Sequence, residues 1–228
     1  MSANGHHHCA RIELHKFDVH HLTLLSLCEG RLKEKNVEKR FLGGYQESWF
    51  PSVERNRPLV RAYNTIDPLD IEGKYKILRD LLGEVHEKTI IEPPFYCDNG
   101  QNIFLGDNFY ANYNLTILDG DRVTIGKNVV IGPNVTISAD AHPVHWKSRT
   151  DGDGFPITTA PVTIEDNVWI GAGCIILMGV TIGAGAVIGA GSIVTKDIPP
   201  NCIAFGSPCK KMREITDEDI VSWDDLQK

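Results

Sequence analysis

From Leu105 onward the aliphatic residues of this 228-residue chain recur every six positions. Leu105, Ala111 and Ile117 form one run; Ile125, Ile131 and Ile137 form a second after a slip of two residues. Ile164, Ile170, Ile176, Ile182, Ile188 and Val194 follow, six apart without error. A helix face repeats at about 3.6 residues and a strand face at 2, so neither element alone produces this pattern. A hexad repeat marks a parallel β-solenoid. Three hexads make one triangular coil, and each anchor points inward onto its counterpart in the next coil. Fifteen of the 21 glycines lie between positions 100 and 206. Gly106, Gly126, Gly132, Gly171, Gly183 and Gly189 directly follow an anchor and read as corner residues, where a side chain would crowd the chain. Val129, Val135, Val168, Val180 and Ala186, four past an anchor, are small or β-branched. A β-sandwich of short strands does not predict a fixed spacing of six.

The rest of the chain is organised around this repeat. Residues 1–40 read as an extension holding six of the nine histidines, a solvated terminus rather than a metal tract. Positions 22–42 could form an amphipathic helix, weakened by Gly30. Residues 67–86 read as a helix with Asp67 as N-cap and Pro68 in its first turn. Ile71, Tyr75, Leu78, Leu82 and Val85 would form its buried face. The repeat breaks at residues 138–161, and solenoids often place such insertions on their functional face. The expected division is 1–40 extension, 41–92 helical cap, 93–213 solenoid with its loop, and 214–228 tail.

Composition removes several function classes. No run reaches the roughly 20 apolar residues of a membrane span. The net charge of −7 argues against a general nucleic-acid binder. Residues 214–228 alone carry six acidic groups and one basic group, so the excess is mostly a tail effect. Cys9, Cys28, Cys97, Cys174, Cys202 and Cys209 contain no C-x-x-C pair and suit a reduced, cytoplasmic protein.

Five motifs follow in order: IEPPFYCDNGQNIFLGDNFYANYNLTILD, AHPVH, VTIEDNVWIGAG, GVTIGAGAVIGAGSIVTKDIPPN and GSPCKKMREI. Together they resemble the maltose/galactoside O-acetyltransferase family, over about residues 41–215. The resemblance implies a mainly β fold: a left-handed parallel β-helix with an N-terminal α-helical cap that includes Tyr63–Asn64. It implies acetyl transfer from acetyl-CoA to a small-molecule hydroxyl, and a homotrimer with sites between neighbours. Where some members place an acceptor-facing aspartate in the cap, this chain reads GGYQESWFPSV, with Glu47 the nearest acid.

A protonated hydroxyl is a poor nucleophile, and imidazole is the side chain suited to deprotonate it near neutral pH. His142 and His145 are the histidines of the solenoid half. The resemblance makes His142 the base and leaves His145 to shape the loop. No serine or cysteine sits in a plausible triad, which favours direct attack on the thioester. The resemblance turns Asp98 and Asn112 toward the acceptor, with Asp119 a further candidate; Asn112 and Asp119 equally suit corner turning. At the donor end it places Trp169 against the pantetheine arm of coenzyme A. Ala172 and Ala190 would line the arm, beside Thr195 and Lys196. Lys210, Lys211 and Arg213 would join Lys196 as a positive cluster for the phosphates.

Other functions compete. A zinc enzyme of the γ-carbonic-anhydrase type needs three histidine ligands, and this half has two, so no metal is expected. A coenzyme A-binding protein without catalysis is another reading. Within acyl transfer, an amino-alcohol, a drug or a secondary metabolite competes with a sugar as acceptor.

Overall fold

The computed structural model describes residues 50–150 and 156–226. The helix expected over 22–42, the early histidines and Glu47 lie outside them.

Three parallel sheets form the faces of a solenoid. Face one stacks Ile103–Leu105, Val123–Ile125, Val162–Ile164 and Thr181–Ile182. Face two stacks Ile90–Ile91, Tyr110–Ala111, Val130–Ile131, Trp169–Ile170, Val187–Ile188 and Cys202–Gly206, closed by the antiparallel strand Cys209–Glu214. Face three stacks Phe95–Cys97, Leu115–Leu118, Thr136–Ser138, Ile175–Ile176 and Ile193–Val194. The register joins the hexad anchors directly. Leu105 pairs with Ile125, Ile125 with Ile164 and Ile164 with Ile182. Every anchor from Leu105 to Val194 is at most 1% exposed, as are Val129, Val135, Val168, Val180 and Ala186. They form one continuous core.

The structure reassigns the corner glycines. A Cβ on Gly106 would stand 2.6 Å from the Gly126 carbonyl carbon and from Lys127 N. Glycine after the anchor therefore lets stacked coils approach. The left-handed turn comes three residues past the anchor instead. Asn108, Asn114, Asn128, Asn134 and Asn167 hold positive φ in the earlier coils, and Gly173, Gly179, Gly185 and Gly191 in the later ones. Asparagine tolerates this conformation and also stacks. Asn108 Nδ2 donates to Asn128 Oδ1 at 2.9 Å, and Asn128 Nδ2 to Asn167 Oδ1 at 3.0 Å.

The two-residue slip and the long insertion fall at the same place, the edge where face three turns into face one. The slip lies between Ile117 and Ile125, and the insertion one coil later between Ile137 and Ile164. Coils are widened here and tightly wound elsewhere.

Two helices cover the first coil. Helix α1 (Phe50–Thr65) supplies polar side chains where a preceding coil would supply backbone. Tyr63 Oη donates to Ile91 O at 2.6 Å. Asn64 Nδ2 donates to Phe95 O at 3.0 Å, and Phe95 N donates to Asn64 Oδ1 at 2.8 Å. Buried Asn56 donates to the carbonyls of Asp98 and Asn99.

Helix α2 (Ile71–Leu81) starts later than expected, with Asp70 as its N-cap. Asp70 Oδ1 accepts from Gly73 N at 2.8 Å, whereas Asp67 Oδ1 accepts from Leu69 N in the turn before the helix. The buried face is Leu78, Leu81 and Leu82; Ile71 is 69% exposed. The chain joins the solenoid just after the helix, where Gly83 N and Glu84 N donate to Ile103 O. Only the last turns of α2 are thereby drawn onto the core.

Candidate active site

Three successive coils each contribute an aspartate to the widened edge: Asp98, Asp119 and Asp140. Asp119 is fully buried. Its Oδ1 accepts from Asp98 N at 3.0 Å and Asn99 N at 2.9 Å, while its carbonyl accepts from Asn102 Nδ2 at 2.7 Å. Asp119 therefore holds the corner together, the structural one of its two expected roles, and is sealed from an acceptor. Asp98 is half-buried. Burial, with repulsion from Asp140 and Asp119, pushes its carboxyl up to about 6. Burial also raises Asp140, opposed by its hydrogen bond from Ser138 and by His142.

His142 follows the short strand Asp140–Ala141, which pairs with Thr158–Thr159 across the base of the inserted loop. Its Nδ1 lies 3.0 Å from Pro156 O. A carbonyl only accepts, so in the neutral ring this contact assigns the proton to Nδ1 and the lone pair to Nε2. The side chain is exposed. His145 shapes the loop beside it: its Nδ1 accepts from Lys147 N at 3.2 Å and its ring stacks on Trp146. Arg149 donates to Pro143 O and Val144 O, fastening the helical turn Trp146–Thr150 to the residues after His142.

Of the other expected residues, Trp169, Lys210 and Arg213 lie along face two and Asn112, Ala172 and Ala190 at its edge with face three, whereas Thr195 and Lys196 follow Ile193–Val194 of face three, at the edge that holds His142. Ile90, Tyr110, Val130, Trp169, Val187 and Ile203 form an in-register column on the outside of face two. Trp169 is 54% exposed and contributes little to this chain's core. Just past it, Gly171, Ala172, Gly189 and Ala190 leave a corner almost without side chains. Asn112 turns the same edge in an earlier coil, its Oδ1 accepting from Tyr113 N at 2.7 Å.

The expected phosphate cluster is already partly paired. Arg213 donates to both Asp219 oxygens, at 2.7 and 2.6 Å, and Lys211 pairs with Glu214. The guanidinium holds the Asp219 carboxyl down at about 2. Lys196 and Lys210 are exposed, and Thr195 is 2% exposed. The tail thus folds an anion back onto Arg213, a contact that the acidic run of residues 214–228 could have signalled.

Face three separates the two groups. His142 and Asp98 stand at one end of its strands, Asn112 and Ala172 at the other. A four-residue strand such as Leu115–Leu118 spans roughly 13 Å. One chain therefore does not bring the expected base together with Trp169, Ala172 and Ala190, while Thr195 and Lys196 share the edge of His142 in a later coil. Sequence reading missed Ser138, Asp140 and Pro156; the signal for Asp140 was an acid two residues before the histidine. Among the described residues no group of three His, Cys, Asp or Glu could hold a metal ion, and no helix is long and apolar enough to cross a membrane. Cys97, Cys174, Cys202 and Cys209 are free thiols.

The chain matches the hexapeptide repeat of succinyl-transferase over residues 122–140 and 161–196. It is 49% identical to the galactoside O-acetyltransferase of Escherichia coli over 165 residues, 72% of this chain and 80% of that protein. A galactoside acetyltransferase solved in complex with coenzyme A superposes with a TM-score of 0.72 at 42% identity, covering 84% of this chain and 92% of that one. A maltose O-acetyltransferase from Clostridium difficile gives a TM-score of 0.75 at 41% identity, covering 81% and 97%. With hexads in register, a helical cap and a loop histidine at the widened edge, this chain belongs to the maltose/galactoside O-acetyltransferase family.

Proposed function

We propose that the protein transfers acetyl from acetyl-CoA to a sugar hydroxyl, with His142 as general base. The observation that carries this reading is the Nδ1 contact to Pro156 O, which presents Nε2 as the proton acceptor. Nε2 takes the acceptor's hydroxyl proton as its oxygen attacks the thioester carbonyl. The tetrahedral intermediate collapses with loss of the thiolate, and the imidazolium returns the proton to sulfur. Asp98 accepts a hydrogen bond from the acceptor, close to the base. Trp169 offers an exposed aromatic face to the pantetheine arm, and the small residues at Ala172 and Ala190 admit it. Lys196, Lys210 and Arg213 face the phosphates, Arg213 after exchanging Asp219 for a phosphate oxygen; an exposed ion pair is weak enough for that exchange. Thr195, turned inward, meets the donor through its backbone.

A homotrimer completes the site. One chain's Asn112 and Trp169 would meet a neighbour's His142 and Asp98, which accounts for their division between two edges. The apolar column on face two, with Ile90 53% and Val130 43% exposed, supports contact there. The free thiols and an intracellular acetyl donor favour a cytoplasmic location.

The test is an acceptor screen that follows free thiol release from acetyl-CoA, with the oligomer measured by light scattering. Acetylation of hexosides by a trimer is the expected result. A monomer with full activity would refute the shared site, and transfer to amino-alcohols alone would refute the sugar reading.

A further inference from the structure

We propose that Asp140 is a second acceptor-binding carboxylate, and that Asp98 and Asp140 together select acceptors with two neighbouring hydroxyls. This rests on the sugar reading above.

The position of Asp140 is built rather than incidental. Ser138 Oγ donates to Asp140 Oδ1 at 3.2 Å and to its carbonyl at 2.8 Å, which orients the carboxylate. The opposite oxygen lies over Gly120. A Cβ on Gly120 would stand 2.5 Å from Asp140 Oδ2, 2.8 Å from its Cβ and 3.0 Å from its Cγ. All three nearest atoms belong to Asp140. Gly120 has no left-handed backbone that calls for glycine. Its bare backbone makes room for the Asp140 carboxylate.

Beneath lies the sealed Asp119, whose Oδ2 is buried without a hydrogen-bond partner among the described residues. Like-charged carboxylates next to a buried, half-satisfied one repel each other and are costly to ionise together. Both Asp98 and Asp140 are raised by burial and by neighbouring carboxylates, as this crowding requires. Hydroxyl donors relieve the crowding. Asp98 and Asp140 are the reachable pair, each half-buried, with Asp140 two residues from the base. A vicinal diol supplies one O–H to each carboxylate while a hydroxyl beside it meets His142. A single hydroxyl leaves one carboxylate unserved, and sites built around a hydrogen bond discriminate strongly against ligands that lack it.

The experiment compares a methyl hexopyranoside that the wild type acetylates with its analogue lacking one hydroxyl next to the reacting one. Wild type should prefer the parent by about 10- to 100-fold in kcat/KM. Asp140→Ala should remove most of that preference with the KM for acetyl-CoA unchanged. Gly120→Ala should displace the carboxylate and reproduce the loss, yet add nothing in an Asp140→Ala background. General misfolding would not give this non-additivity. If the parent-to-deoxy ratio survives Asp140→Ala, or the two substitutions simply add, this inference falls alone. If the wild type acetylates no hexopyranoside, the sugar reading and this inference fall together.

Discussion

His142→Asn separates two jobs that the histidine does at once. The Asn Nδ2 can take the place of the ring Nδ1 and donate to Pro156 O, keeping the 3.0 Å contact that anchors the loop. What it lacks is anything at the Nε2 position. A general base contributes about 10²–10⁴-fold, or about 3–5 kcal/mol of barrier. We therefore expect kcat to fall by that factor, while the KM for acetyl-CoA stays put because the proposed role of His142 is proton transfer and not donor binding. His142→Ala should lose as much activity and also leave the buried Pro156 carbonyl without its donor, a cost of about 1–3 kcal/mol to the loop if water does not replace it. The assay is thiol release at saturating acetyl-CoA and acceptor across pH 5–9, with thermal unfolding in parallel. The rise in rate with pH that a general base confers should vanish in both variants, and only His142→Ala should loosen the loop. If His142→Asn keeps kcat within threefold of wild type and retains that pH limb, the base is another group.

Adjacent residues on face two should give opposite readouts. Ile170→Ala empties the core column and should cost about 2–5 kcal/mol in urea unfolding, whereas Trp169→Ala should spare folding and raise the KM for acetyl-CoA; equal effects on both measurements would remove the inside–outside assignment. Asp98 binds its proton more tightly folded than unfolded, so it adds stability below about pH 4 and loses it as pH rises through about 6. Asp98→Asn should therefore gain about 1 kcal/mol over wild type at pH 8, after allowance for solvent screening, and nothing at pH 3.5; a gain that does not change with pH would contradict this. Asp219→Ala should release Arg213 and lower the KM for acetyl-CoA, and Arg213→Ala should raise it; a donor KM indifferent to both would take Arg213 out of phosphate binding.

The hexads made the solenoid legible because each anchor sees the same surroundings, one residue inward and one coil above and below. A local pattern suffices when the environment repeats. The loop histidine was legible for the opposite reason: it sits where the repeat fails. The sequence also pointed to Trp169 and the small residues after it, set within an otherwise regular hexad. What it left open depends on pairing across coils. The glycine after each anchor and the asparagine or glycine two further on look alike as turn formers. Only stacking shows that the first avoids Lys127 N and its equivalents while the second adopts positive φ.

Asp119 looked as good a ligand for an acceptor as Asp98. The register of face three seals one and leaves the other reachable, because Asp119 is spent on the backbone of the preceding coil. Arg213 looked available until the tail brought Asp219 to it. By itself, then, the sequence determined the period, the core and the residue types able to do the chemistry, since these follow from short-range repetition and from side-chain chemistry. The tertiary structure alone decided which edge each residue occupies. It set His142 apart from Trp169 and Ala172 across face three and brought Asp140 over Gly120. Such proximities join residues a whole coil apart, and their spacing depends on where the coils widen.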